Sequence, residues 1–346
     1  MIDLRTDTGT LPTEEMRDAM RRAELGDDGR DGDPTVRRLE EMAASATGQE
    51  AGLMVPSGTM SNLVALLTHA NRDGGEVLVD AESHIMRSEL GGIAKLAGLF
   101  PRIYPAERGT PDVAALRHMI QPAMTRGQFP TSLVCVETTH NDAGGAVVPL
   151  ETLAAVRKVT SEKGIPLHID GARVFNAAVA LGVPASEIGK HADSIGFCVS
   201  KGLSAPVGSV LCGSKAFVDR ARVYRRMVGG TLRQAGVFAA AGIVALEKMV
   251  DRLADDHTRA RRLADGLHKI DPKLVNPNRV ATNIVMAEIG GTGRDAASWV
   301  AALVEKGVKT SVWNATSLRL VTHRHIDDAA IDQAISAFRD IHSRKH

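Results

Sequence analysis

The chain has 346 residues, 44% of them apolar, and a net charge of +1 from 42 basic and 41 acidic side chains. That length suits a large domain with a smaller one appended, and the apolar share is enough for a sizeable core. The charge balance leaves no single-sign field to hold nucleic acid or a membrane surface, and no apolar run reaches the roughly 18 residues of a spanning helix.

Residues 1–30 read as an N-terminal arm. Its opening, MIDLRTDTGT, is charged from residue 3, which predicts no signal peptide. DPTVRRLEEMAASATG then predicts a helix: Asp33 caps it, Pro34 fits the first turn and Gly48 stops it. Short apolar runs at 52–55, 76–80, 102–104, 132–137, 166–170, 194–199 and 208–212 predict strands. Helical patterns such as LETLAAVRKVTSEKG lie between most of them. The alternation predicts an α/β layer on a mostly parallel sheet over 31–250. From Thr231 an apolar helix pattern runs to about Met249, and a charged one follows to about Lys269. The region 251–346 predicts a small C-terminal α+β domain.

Aromatic residues are only 3% of the chain, so Ala, Val, Leu, Ile and Met must fill the core. Cys135, Cys198 and Cys212 each sit inside an apolar, strand-like run. An odd count in such settings predicts reduced core thiols and a cytoplasmic protein. Their spacing fits no zinc pattern, and no metal is expected.

In open α/β sheets, ligands bind outside the carboxyl ends of the strands. The segments that follow the strands are PSGTMSN, AESHIMRSE, TTHNDAGG, GAR and Ser200-Lys201, all polar. PSGTMSNLVALL reads as a strand, a tight glycine turn and a helix. Its free amides and the hydroxyls of Ser57 and Thr59 suit an anion, although an ordinary capped helix reads the same way. Neither GxxxxGK[ST] nor GxGxxG occurs, so a nucleotide is not favoured. Asp170 ends a buried strand, where a carboxylate wants a cationic partner. Either it caps the helix in GARVFNAAVA or it faces a ligand, and Arg173 could reach the same space.

Lys201 follows the apolar run 195–199. An ammonium there is either at the rim, in water, or present for its amine. Positions 170 and 201 are 31 residues apart, one αβ crossover within a sheet. A phosphate cradle, a strand-end Asp and a strand-end Lys together describe a site for pyridoxal phosphate (PLP). In such a site the Asp keeps the pyridine nitrogen protonated and the Lys forms the Schiff base.

These residues resemble the threonine aldolase family, fold-type I PLP enzymes related to the β-eliminating lyases. DLRTDTGTLPTEEMRDAM, GDDGRDGDPTVRRLEE, VPSGTMSNLVALL, ETTHNDAGG, HIDGARVFNA, SKGLSAPVGSVLCGS, GGTLRQAGVFAAAGIVAL and LRLVTH come in the family's order and span nearly the whole chain. The resemblance implies an aspartate aminotransferase-like fold and reversible retro-aldol cleavage of β-hydroxy-α-amino acids, such as L-threonine or L-allo-threonine, to glycine and an aldehyde. The alternative is β-elimination, or other PLP chemistry, on a different β-substituted amino acid.

The resemblance also implies roles. Lys201 matches the Schiff-base lysine and Asp170 the pyridinium partner. Gly58 and Thr59 match the phosphate-binding turn, and Arg173 an arginine near the cofactor. His84 matches a histidine stacked on the ring and a candidate proton-transfer group; on its own it reads as a surface-loop histidine. Arg319 matches the arginine that grips the substrate carboxylate, with Thr6 helping from the arm. Arg226 and Arg233 match basic positions that reach a neighbouring subunit's site, Arg233 toward the cofactor and Arg226 toward the substrate. A homodimer or homotetramer with shared sites is therefore expected. Three departures stand out: Thr6 replaces a usual Ser, Arg30 stands where relatives commonly carry Tyr, and TRGQFPT lacks a histidine that some relatives have.

Overall fold

The computed structural model describes residues 1–70 and 74–343. Its centre is a seven-stranded sheet of β1 (Ala51–Val55), β2 (Gly75–Val79), β3 (Leu99–Ile103), β4 (Thr131–Glu137), β5 (Leu167–Asp170), β6 (Ser194–Cys198) and β7 (Ser209–Gly213). The spatial order is β1–β7–β6–β5–β4–β2–β3. All neighbours are parallel except β7, which runs antiparallel to both β1 and β6. This is the mostly parallel sheet that the alternating pattern predicts.

The inner strands β2, β4, β5, β6 and β7 are buried along their whole length. Strands covered on both faces are written as continuous apolar runs, which is why they stand out in the sequence. Helices Leu150–Glu162 and Val174–Leu181 pack Leu153, Val156, Val174 and Ala177 onto Val134, Val136, Leu167 and Ile169 in the main core. The helix Pro34–Thr47 begins as its signals require: Asp33 accepts from the amides of Thr35 and Val36. It ends at Gly48, whose φ of +69° is left-handed.

Two boundaries differ from expectation. The strand expected at 102–104 is Leu99–Ile103, an edge strand. Pro101 is tolerated there because an edge strand can spare an amide. Tyr104 lies just beyond it and turns inward, donating its hydroxyl to Cys135 O at 2.8 Å. The apolar helix expected from Thr231 starts at Gly236. Asp33 fixes that start, since its Oδ2 accepts from the Gly236 amide at 3.0 Å. A side chain at 236 would meet Asp33 Oδ1 at 2.5 Å, so glycine is required.

A second core gathers Leu263, Leu267, Trp299, Leu318, Leu320 and Phe338, and Leu4 from the arm joins it. Its sheet is antiparallel, in the order β8 (Ile284–Glu288), β10 (Ser317–Val321), β9 (Ser311–Asn314). Ile2–Asp3 pairs in parallel with Val308–Lys309, so the arm is stitched to this C-terminal unit before it crosses to the large sheet. The three cysteines are buried and free, and burial pushes the thiols of Cys135 and Cys212 up. No helix among the described residues is long and apolar enough to cross a membrane.

Candidate active site

Asp170 closes β5 at the middle of the sheet and is buried. The helix after it is not capped by its side chain: Arg173 holds the cap position, with no side-chain cap bond. Asp170 Oδ1 accepts from the Ala172 amide at 3.1 Å, and Oδ2 from Asn62 Nδ2 at 2.8 Å. Asn62 reaches it because its helix, Gly58–His69, lies unusually close to β6. A Cβ at Gly196 would fall 2.3 Å from Ser61 Oγ, and one at Gly58 would fall 2.9 Å from Cys198 Sγ. Two glycines therefore set the height of this helix over the sheet.

The N-terminus of the helix Gly58–His69 lies beside the end of β6, three residues before Lys201. Ser57 caps it by accepting from the Met60 amide at 3.2 Å. Ser57 and Thr59 are exposed at this helix N-terminus, where first-turn amides lack partners within the helix, as an anion site needs.

Lys201 sits in a turn pinned from several directions. Its carbonyl accepts from the Ser204 amide at 2.9 Å and from Thr10 Oγ1 at 2.7 Å. Ser204 takes a left-handed φ of +67° to close the turn, a costly conformation for a residue with a side chain. The amine itself is half-buried and forms no salt bridge among the described residues.

His84 opens a short helix after β2. Its amide donates to Glu137 Oε2 at 2.6 Å, and its Nδ1 lies 3.0 Å from Glu89 Oε1. That bond to Glu89 raises the imidazole pKa, burial opposes it, and the Asp170 carboxylate raises it further, while Lys201 lowers it. His84 thus feels both Asp170 and Lys201, which brings the three predicted residues into one electrostatic neighbourhood. Glu89 also accepts from Asn62 Nδ2 at 2.8 Å, and burial raises its pKa. Glu137, wholly buried, accepts a second amide from Asn141 at 2.7 Å. One carboxylate therefore anchors the loops that carry His84 and Asn141.

Asn141 joins two arginines. Its Oδ1 accepts from Arg319 Nη2 at 3.0 Å and from Arg173 Nη1 at 3.4 Å. Arg173 is held by a two-pronged pair with Asp7 of the arm, both contacts 2.7 Å. Burial alone would push the Asp7 carboxyl up; Arg173 beside it holds it well below the usual range. Arg319 is buried on β10, with its Cζ 5.0 Å from the ring centre of Trp313 and its Nε without a partner. Burial, then the like charge of Arg173, lowers its pKa to about 10. Asp7 and Asp142 act on it from a distance, but among the described residues it forms no salt bridge.

Not every expected residue joins this cluster. Thr6 caps the short turn Asp7–Gly9 and bonds Thr8, placing it one residue from the Asp7–Arg173 pair. Arg226 is exposed, and Arg233 is exposed with Asp27 at 3.6 Å. Among the described residues, neither side chain bonds a member of the cluster. Arg30 is also exposed, 3.8 Å from Asp27. A cleft of about 470 Å³ lined by Asp142, Gly144, Met286, Trp313 and Ser317 opens beside Arg319. It contains none of Lys201, Asp170 and His84, so it adjoins the chemistry without enclosing it.

His84, Glu89 and Asp170 offer ligand atoms within 4.8 Å of one another, a spacing a cation could use. Asn62 already donates to both carboxylates, and His84 bonds Glu89, so a cation would have to displace those bonds. The donor set fits PLP better: a fixed carboxylate for a ring nitrogen, an unpaired amine for an aldehyde, free amides for a phosphate and an imidazole beside them. Sequence reasoning missed Asp7, Asn62, Glu89, Glu137 and Asn141, although all but Glu89 lie inside motifs that the resemblance rests on. AESHIMRSE itself contains Glu89, five residues after His84.

The family described as Beta-eliminating lyase matches residues 3–290. Low-specificity L-threonine aldolase 1 of Arabidopsis thaliana is 40% identical over 341 residues, covering 98% of this chain and 95% of its own. A solved structure of the threonine aldolase of Leishmania major superposes with a TM-score of 0.83 at 17% identity, covering 99% of this chain and all of that one, 100%. A high-resolution structure of SPT with PLP internal aldimine gives a TM-score of 0.76 at 16% identity, covering 98% and 86%. At such identities the two structures share the fold.

Proposed function

The chain belongs to the beta-eliminating lyases, within the threonine aldolase family, and from that premise we propose that it is a PLP-dependent aldehyde-lyase. Its reaction is the reversible cleavage of β-hydroxy-α-amino acids, L-threonine and L-allo-threonine among them, to glycine and an aldehyde. The observation that supports this most is that His84 feels both Asp170, at the end of β5, and Lys201, in the turn that follows the adjacent strand β6. PLP, when bound, supplies the protonated ring that accepts the electron pair of a bond broken at Cα.

In this reading Asp170 would hold the cofactor's ring nitrogen, with Asn62 and the Ala172 amide fixing its two oxygens. Lys201 would hold the cofactor through its amine. The amides of Gly58 and Thr59, with the hydroxyls of Ser57 and Thr59, take the phosphate. Arg319 grips the substrate carboxylate, and Asn141 fixes the guanidinium while Thr6 adds a hydroxyl from the arm. Arg173, clamped by Asp7, lines the same side.

By gripping the carboxylate, Arg319 would fix how the substrate is turned about Cα and so favour cleavage of Cα–Cβ over the other bonds there. His84 supplies the base. Its Nδ1–H donates to Glu89, leaving Nε2 free to take the β-hydroxyl proton, and Glu89 then stabilises the cation that forms. Arg226 and Arg233 serve a neighbouring subunit's site in a cytoplasmic homodimer or homotetramer. The chain divides in this reading into the arm 1–30, a large domain of 31–250 and a small one of 251–346.

The family model's own description keeps β-elimination as the second reading. Incubation with L-threonine and L-allo-threonine separates the two. Glycine and acetaldehyde in equal amounts support the aldolase; ammonia and a keto acid refute it.

A further inference from the structure

Asp170 does not stand alone beneath the cofactor space. His168 lies two residues before it on β5, on the same face of the strand, and is fully buried. Asn62 lies across both. Its Nδ2 donates to Asp170 Oδ2 and to Glu89 Oε1, each at 2.8 Å, while its Oδ1 meets His168 Nε2 at 3.3 Å. His168 Nδ1 lies 2.8 Å from Ser194 Oγ, and Ser194 Oγ lies 2.8 Å from His69 Nε2. His69 stacks on Phe217 with ring centres 4.6 Å apart.

This chain has one consistent assignment of protons. Two carboxylates face the Asn62 nitrogen, so turning the amide over would set its oxygen against two anions. The Asn62 oxygen therefore faces His168, and Nε2 of His168 must carry the proton. Nδ1 is then bare and accepts the Ser194 hydroxyl. The Ser194 oxygen in turn accepts from Nε2–H of His69. Burial holds both imidazoles neutral, lowering His168 to about 4 and His69 to about 3. The direction of every bond follows from the charge at Asp170 and Glu89.

We propose that His168 is a positioning residue for the cofactor's ring nitrogen, acting through the Asn62 amide on the Asp170 carboxylate. The inference rests on the PLP reading above. Without the His168 donor, the Asn62 oxygen is buried and unpaired, and the amide gains freedom to rotate away from Asp170. Only Asp170 Oδ1 would keep its anchor, the Ala172 amide. A histidine that merely fills the core would do none of this.

The test compares two ligands on the apoprotein: PLP, and the analogue with C–H in place of the ring nitrogen. Dissociation constants come from absorbance or protein fluorescence, with no turnover required. Wild type should bind PLP more tightly, and the ratio of the two constants reads the Asp170 contact. His168→Met should cut that ratio by about tenfold, the worth of one hydrogen bond to a charged group. Ser194→Ala, a milder change that frees the His168 tautomer, should cut it by a few-fold. His168→Gln, whose amide can still donate to Asn62, should restore most of it. If both ligands weaken in parallel and the ratio holds in His168→Met and Ser194→Ala, His168 is a core residue only and the proposal is overturned. A wild type that shows no preference between the ligands overturns the Asp170 assignment, and this proposal with it.

Discussion

Replacing Arg319 with lysine is a sharp test of the substrate grip. The guanidinium is buried, donates through Nη2 to Asn141 Oδ1 at 3.0 Å, lies 5.0 Å from the centre of Trp313, and has an unpartnered Nε. A substrate carboxylate would complete it with a two-pronged, charge-assisted contact. Lysine keeps the charge but loses the planar fork and the flat face against Trp313. One hydrogen bond to a charged group is worth about 1.5–3 kcal/mol, and a partly desolvated cation–π contact adds about 1 kcal/mol. The expected loss is about 2.5–4 kcal/mol, or roughly 60- to 1,000-fold in kcat/KM. The fixed angle at Cα goes as well, so Cα–H exchange should gain on aldol cleavage. The assay measures acetaldehyde released from L-allo-threonine and, in heavy water, deuterium entering Cα. If kcat/KM stays within a few-fold of wild type and the ratio of the two products is unchanged, the carboxylate is held elsewhere and the reasoning fails.

Asp170→Asn should leave PLP bound yet slow turnover by two or more orders of magnitude, since an amide cannot stabilise a pyridinium charge; near-normal turnover would contradict the role. Asp7→Asn leaves the buried Arg173 without its counter-charge and should lower unfolding free energy by about 3–5 kcal/mol in urea at neutral pH. Because Arg173 depresses the Asp7 pKa, this stabilisation is present above the ordinary carboxyl value near ~4 and is lost as pH falls below it, so wild type and mutant should converge in acid. A constant gap between them down to pH ~2 would contradict the pairing. Inactive Lys201→Ala chains mixed with inactive Arg233→Ala chains should recover activity in hybrid assemblies. Verified hetero-oligomers that stay inactive would show that each site is complete within one chain.

The parts of the site that the sequence makes visible are those written as a change of character. Asp170 and Lys201 each end or follow an apolar run, and one αβ crossover separates them, so burial and spacing alone single them out. The helix at 34–47 is visible because Asp33, Pro34 and Gly48 are local signals. Asp7 is invisible by such means: it meets Arg173 across 166 positions of sequence, and only the route of the arm along Val308–Lys309 brings it there. Asn62, Glu89 and Asn141 matter through their neighbours on other elements, which no spacing reports. Arg319 looks like any arginine of an alternating strand, and the family resemblance alone picks it out. The third strand is displaced from 102–104 because an edge strand, half exposed and interrupted by Pro101, writes a weaker apolar run than an inner one.

The central claim is that Lys201 stands in the turn after β6 for its amine. Borohydride reduction of the PLP-loaded protein, followed by peptide mapping, tests it in one step. The account predicts a stable phosphopyridoxyl group on Lys201 and on no other lysine in stoichiometric yield. Label on Lys215 or Lys163 instead, or none above background, would contradict it.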